Sequence, residues 1–236
     1  MNSKLMHNPI IIALDVESAS AARDMVERIG PRVDFYKVGM ELYAAAGMEV
    51  VHRLVGEGKQ VFLDLKMYDI PETITRAVAQ VAKTGARFLT VHAVPSVVRA
   101  AVAAPLGNSL QILGVTVLTS FGPEDMNDLD YKGTIASLVE RRARKAAEIG
   151  VDGIVASPLE AAAVRRAVGP DTIIVTPGVR SAGADAGDQK RIATPAQAIH
   201  DGADYLVIGR QVTRAADPAA EVDRILTELA TQPAAQ

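Results

Sequence analysis

Residues Phe62-Leu63-Asp64-Leu65-Lys66 form a short apolar run that ends in charge, and they lead into Met67-Tyr68-Asp69-Ile70-Pro71. Side chains two residues apart on a strand point to the same face of the sheet, so we expect Asp64 and Lys66 to lie on one face. Buried charges cost desolvation free energy unless they pair, and a functional site tolerates that cost. The segment is therefore a strand that we expect to carry chemistry.

Seven further short apolar runs also end in polar or charged residues, and helix-like stretches separate them. The predicted strands cover residues 10–16, 34–39, 61–66, 88–93, 111–119, 153–157, 173–178 and 205–209. The predicted helices cover residues 19–29, 41–57, 71–84, 96–103, 131–149, 159–168, 195–201 and 218–230. Alternating strands and helices predict a parallel sheet, and eight repeats in 236 residues match a single (β/α)8 TIM barrel of the α/β class.

A doubly wound open sheet is the alternative fold. Such a sheet would more often place a Gly-rich turn after its first strand, where Leu14-Asp15-Val16-Glu17 stands. The whole chain, residues 1–236, is interpreted as one barrel domain, with loose termini at residues 1–8 and 231–236. Capping residues support the predicted helix bounds: Thr194, for example, is suited to cap a helix that begins at Pro195.

Composition excludes several classes of protein. The chain is 49% hydrophobic with a formal net charge of −3, and no basic patch predicts a nucleic-acid surface. It contains no cysteine, which excludes disulfides and thiolate catalysis. No apolar run approaches the length of a membrane span, and the predicted location is the cytoplasm.

The active site of a (β/α)8 barrel lies at the carboxyl ends of its strands. Asp15, Lys37, Asp64 and Lys66 end predicted strands one to three, which are neighbours, so these four side chains can converge. A rim of ordinary salt bridges is the alternative interpretation, and Asp69 could be a turn residue. Other polar strand ends supply His92, Thr119, Ser157, Pro177, Arg180, Gly209 and Arg210.

Several motifs together resemble the orotidine 5′-monophosphate decarboxylase family. They are Ile12-Ala13-Leu14-Asp15, Lys37-Val38-Gly39-Met40-Glu41, Asp64-Leu65-Lys66-Met67-Tyr68-Asp69-Ile70-Pro71-Glu72-Thr73, Leu118-Thr119-Ser120, Thr176-Pro177-Gly178-Val179-Arg180, Asp188-Gln189 and Ile208-Gly209-Arg210. The resemblance spans almost the whole chain. It implies a carboxy-lyase of pyrimidine nucleotide synthesis that needs no cofactor and no metal.

The resemblance also implies a role for each matching residue. Lys66, Asp64 and Asp69 would be the catalytic group, and Asp15 and Lys37 would bind the ribose hydroxyls. Asp69 and Thr73 would reach the neighbouring subunit's site, which implies a homodimer with shared active sites. The remaining substrate-binding residues would be Thr119 and Ser120 at the pyrimidine, Gln189 between base and phosphate, and Pro177, Arg180, Gly209 and Arg210 near the phosphate.

The phosphate assignment also has a physical basis. A glycine at the end of a strand lets a ligand approach the backbone, and a guanidinium beside it favours an anion. Barrels commonly bind phosphate after strands seven and eight. A plain surface charge is the alternative for Arg210. Residues 183–188 are polar and glycine-containing, which is compatible with a lid or with an ordinary loop.

In the reaction implied by this resemblance, carbon dioxide leaves C6 of the pyrimidine ring of orotidine 5′-monophosphate. The carbanion that remains has no adjacent electron sink. A lysine ammonium beside C6 would attract that charge more strongly than it attracts the delocalised carboxylate, and it could then protonate C6. Lys66 is the candidate, because Asp64 and Asp69 would favour its charged form.

Three other functions compete with this one. A magnesium-dependent sugar-phosphate decarboxylase or synthase of the same superfamily shares the Asp-x-Lys-x-x-Asp strand, but those enzymes carry a Glu where Lys37 stands. A Schiff-base aldolase could use Lys66, although neighbouring carboxylates oppose it. A non-catalytic phosphate-ligand sensor is the third. Met40 and Met67 are expected to be packing residues, and His92 a structural histidine.

Overall fold

The computed structural model describes residues 8–107, 109–181 and 193–231. Eight parallel strands close into a barrel in the order of the chain, and β8 pairs with β1. The strands are β1 Ile10–Ala13, β2 Phe35–Gly39, β3 Gln60–Met67, β4 Phe88–His92, β5 Gln111–Val115, β6 Gly153–Val155, β7 Ile173–Pro177 and β8 Tyr205–Ile208. The predicted (β/α)8 TIM barrel is confirmed, and the open doubly wound sheet is wrong.

Helices connect the strands and surround the barrel. In the described ranges they are α1 Ala19–Ile29, α2 Met40–Ala46, α3 Glu49–Gly56, α4 Pro71–Val81, α5 Pro95–Val102, α6 Pro123–Asp128, α7 Ile135–Ile149, α8 Ala161–Val168, α9 Pro195–His200, α10 Arg210–Thr213 and α11 Pro218–Ala230. The bounds of α1 and α11 agree with the predicted ones. The single helix predicted over residues 41–57 is wrong, because Gly47 at φ 63° ends α2 before α3 begins.

Apolar side chains form two cores. Alternate strand residues such as Ile10 and Ile12 face the helices, whereas Ile11 and Ala13 face the barrel interior. Large rings fill the interior towards the amino ends of the strands. There Phe35, Phe88 and Tyr205 pack with centroids 5.1 to 5.6 Å apart. Because rings close that end, open space remains at the carboxyl ends of the strands.

The helix starts follow the expected capping chemistry. The Thr194 hydroxyl accepts a hydrogen bond from the Gln197 amide at 3.2 Å, and Pro195 occupies the first turn of α9. Of the predicted loose termini, residues 1–7 and 232–236 lie outside the described part of the chain. Among the described residues, no helix is both long enough and apolar enough to cross a membrane.

Candidate active site

A cavity of about 710 Å³ opens at the carboxyl ends of the strands. The size suits a nucleotide-sized ligand. Nine of the thirteen residues predicted for the site line this cavity, from six different strands or the loops that follow them. They are Asp15, Lys37, Asp64, Lys66, Thr119, Pro177, Arg180, Gly209 and Arg210.

Two lysines and two aspartates from β2, β3 and the loop after β1 form one ion-pair network on one side of the cavity. Lys37 Nζ donates to Asp15 Oδ1 at 2.8 Å and lies 3.7 Å from Asp64 Oδ2. Lys66 Nζ donates to the same Asp64 Oδ2 at 2.8 Å. Asp64 and Lys37 are each only 9% exposed. The four predicted residues therefore do converge, and Asp64 lies between two ammonium groups.

Lys66 reaches this position through an irregular backbone. Strand β3 advances four residues, from Leu63 to Met67, while β4 advances two, from Leu89 to Val91. Within this bulge Lys66 adopts φ 47°, a left-handed conformation that costs a non-glycine residue on the order of 1–3 kcal/mol. Bulges commonly re-aim a side chain next to an active site. The contact between Lys66 and Asp64 thus depends on the bulge rather than on regular strand alternation.

Thr90 on β4 stabilises the bulge. Its fully buried hydroxyl donates to Asp64 Oδ1 at 2.9 Å and accepts a hydrogen bond from the Lys66 backbone N–H, also at 2.9 Å. One side chain therefore fixes both the carboxylate and the lysine backbone. Sequence reasoning missed Thr90, because a threonine inside an apolar strand is typical of strand propensity alone.

The environment keeps Asp64 charged. Burial by itself raises the pKa of its carboxyl, but the charges of Lys37 and Lys66 and the hydrogen bonds from Lys66 and Thr90 outweigh burial, and the net pKa lies below 3.8. A carboxylate held in this way stays ionised at neutral pH. The cavity wall therefore presents a permanent negative charge directly beside Lys66.

Gly39 makes room for the second lysine. A Cβ at this position would lie 2.8 Å from Lys37 Nζ and 3.1 Å from Asp15 Oδ1. Real Cβ atoms do not approach a nitrogen that closely, so any larger residue would displace the ammonium group. The glycine of the predicted Lys37-Val38-Gly39 motif is thus required by the ion pair and not by backbone conformation.

The loops after β7 and β8 supply the arginines. Arg180 follows β7 and is 6% exposed, and Arg210 opens α10 directly after β8. Gly209, between the end of β8 and Arg210, also lines the cavity, and a Cβ there would lie 3.9 Å from Asp15 Oδ2. Arg214, which the sequence had not singled out, also lines this side. Asp15 therefore separates the arginines from the lysines.

Comparison with known proteins identifies the family. The sequence pattern described as Orotidine 5′-phosphate decarboxylase / HUMPS family matches residues 8–225. The chain belongs to this decarboxylase family. Among similar proteins, orotidine 5′-phosphate decarboxylase of Bradyrhizobium sp. (strain ORS 278) is 51% identical over 222 residues, which cover 94% of this chain and 91% of that protein.

Other members of the decarboxylase family agree with the alignment and the fold. The Rhodopseudomonas palustris (strain BisB5) protein of the same name is 52% identical over 221 residues, covering 94% of each chain. The crystal structure of orotidine 5′-phosphate decarboxylase from Lactobacillus acidophilus has a TM-score of 0.83 at 34% identity, covering 94% of this chain and 99% of that one.

Four residues predicted from the resemblance to this decarboxylase family do not line the cavity. Asp69, Thr73 and Ser120 are exposed, and Gln189 lies outside the described residues, as does the predicted lid at residues 183–188. The Asp69 carboxylate accepts a hydrogen bond from the Ile70 amide at 2.6 Å, as a turn residue does. Within one chain, Asp69 and Thr73 therefore remain apart from the ion-pair network.

Three further side chains, those of Met40, Met67 and His92, were predicted to be structural. Met40 is 64% exposed, so its predicted packing role is wrong. Met67 is partly buried against the outer core, as expected. His92 is half-buried with its ring 5.8 Å from that of Tyr68. Burial lowers the pKa of His92 below 6.5, and the charges of Arg142 and Lys66 lower it further.

Acidic side chains also surround the lysines. Glu17 and Glu41 line the same cavity, and neither was predicted to be a site residue. Among residues 8–107, 109–181 and 193–231, no group of three His, Asp or Glu side chains has a geometry suited to a metal ion. The carboxylates of Asp15 and Asp64 are paired with ammonium groups instead.

Proposed function

We propose that this protein converts orotidine 5′-phosphate to uridine 5′-phosphate and carbon dioxide, the decarboxylation for which its relatives are named, in pyrimidine biosynthesis. The reaction proceeds without a cofactor or a metal ion. The observation that carries the proposal is the order of charged groups around the barrel, which parallels the order of groups in this nucleotide.

The charged residues that line the cavity come from adjacent strands, in the order of the strands around the barrel. Lys66 and Asp64 lie on β3, Lys37 on β2, and Asp15 in the loop after β1. Strand β8 pairs with β1, and it ends at the backbone of Gly209 and the side chain of Arg210. A nucleotide with its base at β3, its ribose at β2 and β1 and its phosphate at β8 would meet each group in turn.

In the proposed reaction, Lys66 acts at C6 of the pyrimidine. The bond between C6 and the carboxylate carbon breaks, carbon dioxide leaves, and the electron pair stays on C6. The Lys66 ammonium attracts this localised charge and donates a proton to C6, which leaves a neutral amine that solvent reprotonates. The hydrogen bond to Asp64, at 2.8 Å, holds Nζ at the cavity wall.

The ribose and the phosphate hold the substrate in place. In the proposed complex Asp15 and Lys37 would hydrogen-bond the ribose hydroxyls, and Arg180 and Arg210 would bind the phosphate dianion. Thr119, which follows β5 and lines the cavity, would contact the base. Binding energy from these remote groups would align C6 with Lys66.

The decisive experiment follows the ultraviolet absorbance of orotidine 5′-phosphate in excess chelator. We expect turnover that the chelator leaves unchanged, and loss of turnover by at least about 10⁴-fold in Lys66→Ala. The matched control is Lys83→Ala, which removes an exposed lysine bonded to Gln80. Loss of wild-type turnover in chelator would refute the metal-free mechanism, and absence of turnover with or without chelator would favour a magnesium-dependent sugar-phosphate enzyme of the same superfamily. Near-normal turnover by Lys66→Ala would refute the role of that lysine.

We further infer a homodimer in which Asp69 and Thr73 complete the partner's site. Both residues are exposed, and two large apolar side chains beside them, Tyr68 and Ile70, are 67% and 66% exposed. Exposed apolar side chains grouped on one segment favour burial against another chain. The Asp69 carboxylate would then lie near the Lys66 of the other subunit.

Mixing two inactive variants tests the shared site. Lys66→Ala and Asp69→Ala are unfolded together and refolded, so that mixed dimers form. If sites are shared, each mixed dimer contains one intact site, and about a quarter of the wild-type activity returns. If each chain builds its own site, the mixture stays as inactive as its components, and the proposal fails.

A further inference from the structure

The guanidinium of Arg142, on α7, ties together the two ends of the loop that follows β5. This β5 loop, residues 116–131, carries Val117, Leu118 and Thr119, which line the cavity. Arg142 Nη1 donates to the Thr116 carbonyl at 2.7 Å, at the start of the loop. Arg142 Nη2 donates to the Tyr131 hydroxyl at 2.8 Å, at its end.

Arg142 also stacks on the residue that it bonds. Its guanidinium carbon lies 5.4 Å from the centre of the Tyr131 ring, and the Phe121 ring meets Tyr131 edge-on at 6.3 Å. A planar guanidinium can donate to two acceptors and stack at once, which an ammonium group cannot do. The side chain therefore fixes the separation and the orientation of the loop ends together.

The start of the loop is anchored to the barrel. Thr116 is fully buried, and its backbone N–H and its hydroxyl both donate to the Val155 carbonyl, at 3.3 and 3.1 Å. Arg142 therefore holds the far end of the loop relative to a rigid point of the sheet. Thr119 lies three residues beyond that anchor, so the path of the loop sets where Thr119 meets the cavity.

A neighbouring arginine shows what a purely surface role looks like. Arg144, two residues further along α7, is exposed and forms an ion pair with Glu140 one turn away. Such an exposed pair contributes little to stability and touches no part of the site. Arg142 is instead half-buried and bonded to a loop that enters the cavity.

We propose that Arg142 is a positioning residue for pyrimidine recognition: by joining Thr116 to Tyr131 it holds the β5 loop where Thr119 can contact the base. The proposal rests on the proposed function, since it takes the ligand to be a pyrimidine nucleotide. The proposal predicts different effects on binding of the base and binding of the phosphate. The proposed phosphate contacts come from the ends of β7 and β8, whereas Arg142 bonds Thr116 and Tyr131.

Calorimetric titration with two ligands tests this separation. Uridine 5′-phosphate carries base and phosphate, whereas ribose 5-phosphate carries no base. For Arg142→Met we expect the Kd for uridine 5′-phosphate to rise about tenfold, the equivalent of about 1.4 kcal/mol. The Kd for ribose 5-phosphate should stay within about twofold. The control Arg144→Met should change neither value.

Two gentler variants keep the test valid if Arg142→Met folds poorly. Arg142→Lys restores one donor but not the fork, so its Kd for uridine 5′-phosphate should fall between those of wild type and Arg142→Met. Tyr131→Phe removes only the acceptor of Nη2 and should weaken the same ligand by less than Arg142→Met does.

The outcomes are distinct. Equal losses for both ligands would show that Arg142 supports the fold in general and would overturn the proposal. No loss for either ligand would overturn it as well. If the wild-type protein neither binds uridine 5′-phosphate nor decarboxylates orotidine 5′-phosphate, the proposed function itself fails. A loss confined to the base-containing ligand, partly restored in Arg142→Lys, supports the proposal.

Discussion

Replacing Thr90 with valine would test whether the bulge in β3 is held together for catalysis. The substitution keeps the branched shape of a fully buried side chain and removes its hydroxyl. That hydroxyl donates to Asp64 Oδ1 and accepts from the Lys66 amide, both at 2.9 Å. Thr90→Val therefore leaves one carboxylate oxygen and one backbone N–H without their partner.

The size of the effect follows from these two bonds. A hydrogen bond to a charged group contributes about 1.5–3 kcal/mol, and a buried N–H left unpaired costs about 1–3 kcal/mol. The cavity is open to water, which can replace part of both, so we expect a loss of unfolding free energy of about 2–4 kcal/mol. Asp64 keeps its contacts with both ammonium groups, which limits the loss.

Turnover should fall for a geometric reason. Without Thr90 the Asp64 carboxylate can rotate, and the left-handed backbone at Lys66 loses one of the contacts that keep it there. A displacement of the reacting group by about 1 Å costs about 100-fold in rate. We therefore expect kcat for orotidine 5′-phosphate to drop by between about 10-fold and 100-fold.

The assay combines urea denaturation with absorbance kinetics on one preparation. Thr84→Val is the matched control, because that buried hydroxyl likewise makes one hydrogen bond as donor, to the Val81 carbonyl, and one as acceptor, from the Ala86 amide. The control should lose stability and retain its kcat. If Thr90→Val loses as much stability as the control and still turns over at the wild-type rate, the bulge has no catalytic role and our reasoning is wrong.

Three other perturbations have defined outcomes. Gly39→Ala should displace the Lys37 ammonium and lower kcat/KM more than about tenfold, with little change in thermal stability. The control is Gly56→Ala, where an added Cβ would meet no atom within 4 Å, and its kcat/KM should not change. Arg210→Gln should raise KM for orotidine 5′-phosphate and leave catalysis of orotidine, which lacks the phosphate, unaffected; equal losses would exclude a phosphate contact. His92 has a lowered pKa in the folded state, so its stabilising contribution is present above pH 6.5 and is lost as the pH falls; between pH 7 and pH 5 the unfolding free energy of His92→Gln should decline less than that of wild type.

The sequence predicted the fold well where local signals agreed with the tertiary structure. The helix of residues 218–230 has a cap, a proline in its first turn and an apolar face, and its predicted bounds match those of α11. Helices α6 and α10 were not predicted, because segments of six and four residues are too short to show helical periodicity, whereas the equally short α9 was indicated by Thr194 and Pro195 at its start.

The site was predictable only as a set of residues and not as a geometry. Regular alternation was the reason for expecting Asp64 and Lys66 on one face of a strand. They do meet, but through a bulge with Lys66 at φ 47°, which no residue type in that stretch announces. Thr90 looks like an ordinary strand threonine in the sequence, and its contacts with Asp64 and Lys66 exist only at the register shift between β3 and β4.

The balance of charge on β1 to β3 explains how such a site could favour a transition state over a bound substrate. Two carboxylates and two ammonium groups neutralise one another there, so the wall does not simply attract anions. A substrate carboxylate about 4 Å from Asp64 would be repelled by roughly 4 kcal/mol at an effective dielectric of about 20. In the proposed reaction that repulsion would disappear as carbon dioxide leaves, while the attraction between Lys66 and C6 would grow. Both changes would favour the transition state over the bound substrate. They require Asp64 and Lys66 to act on the same part of the cavity, and the two side chains do lie 2.8 Å apart there.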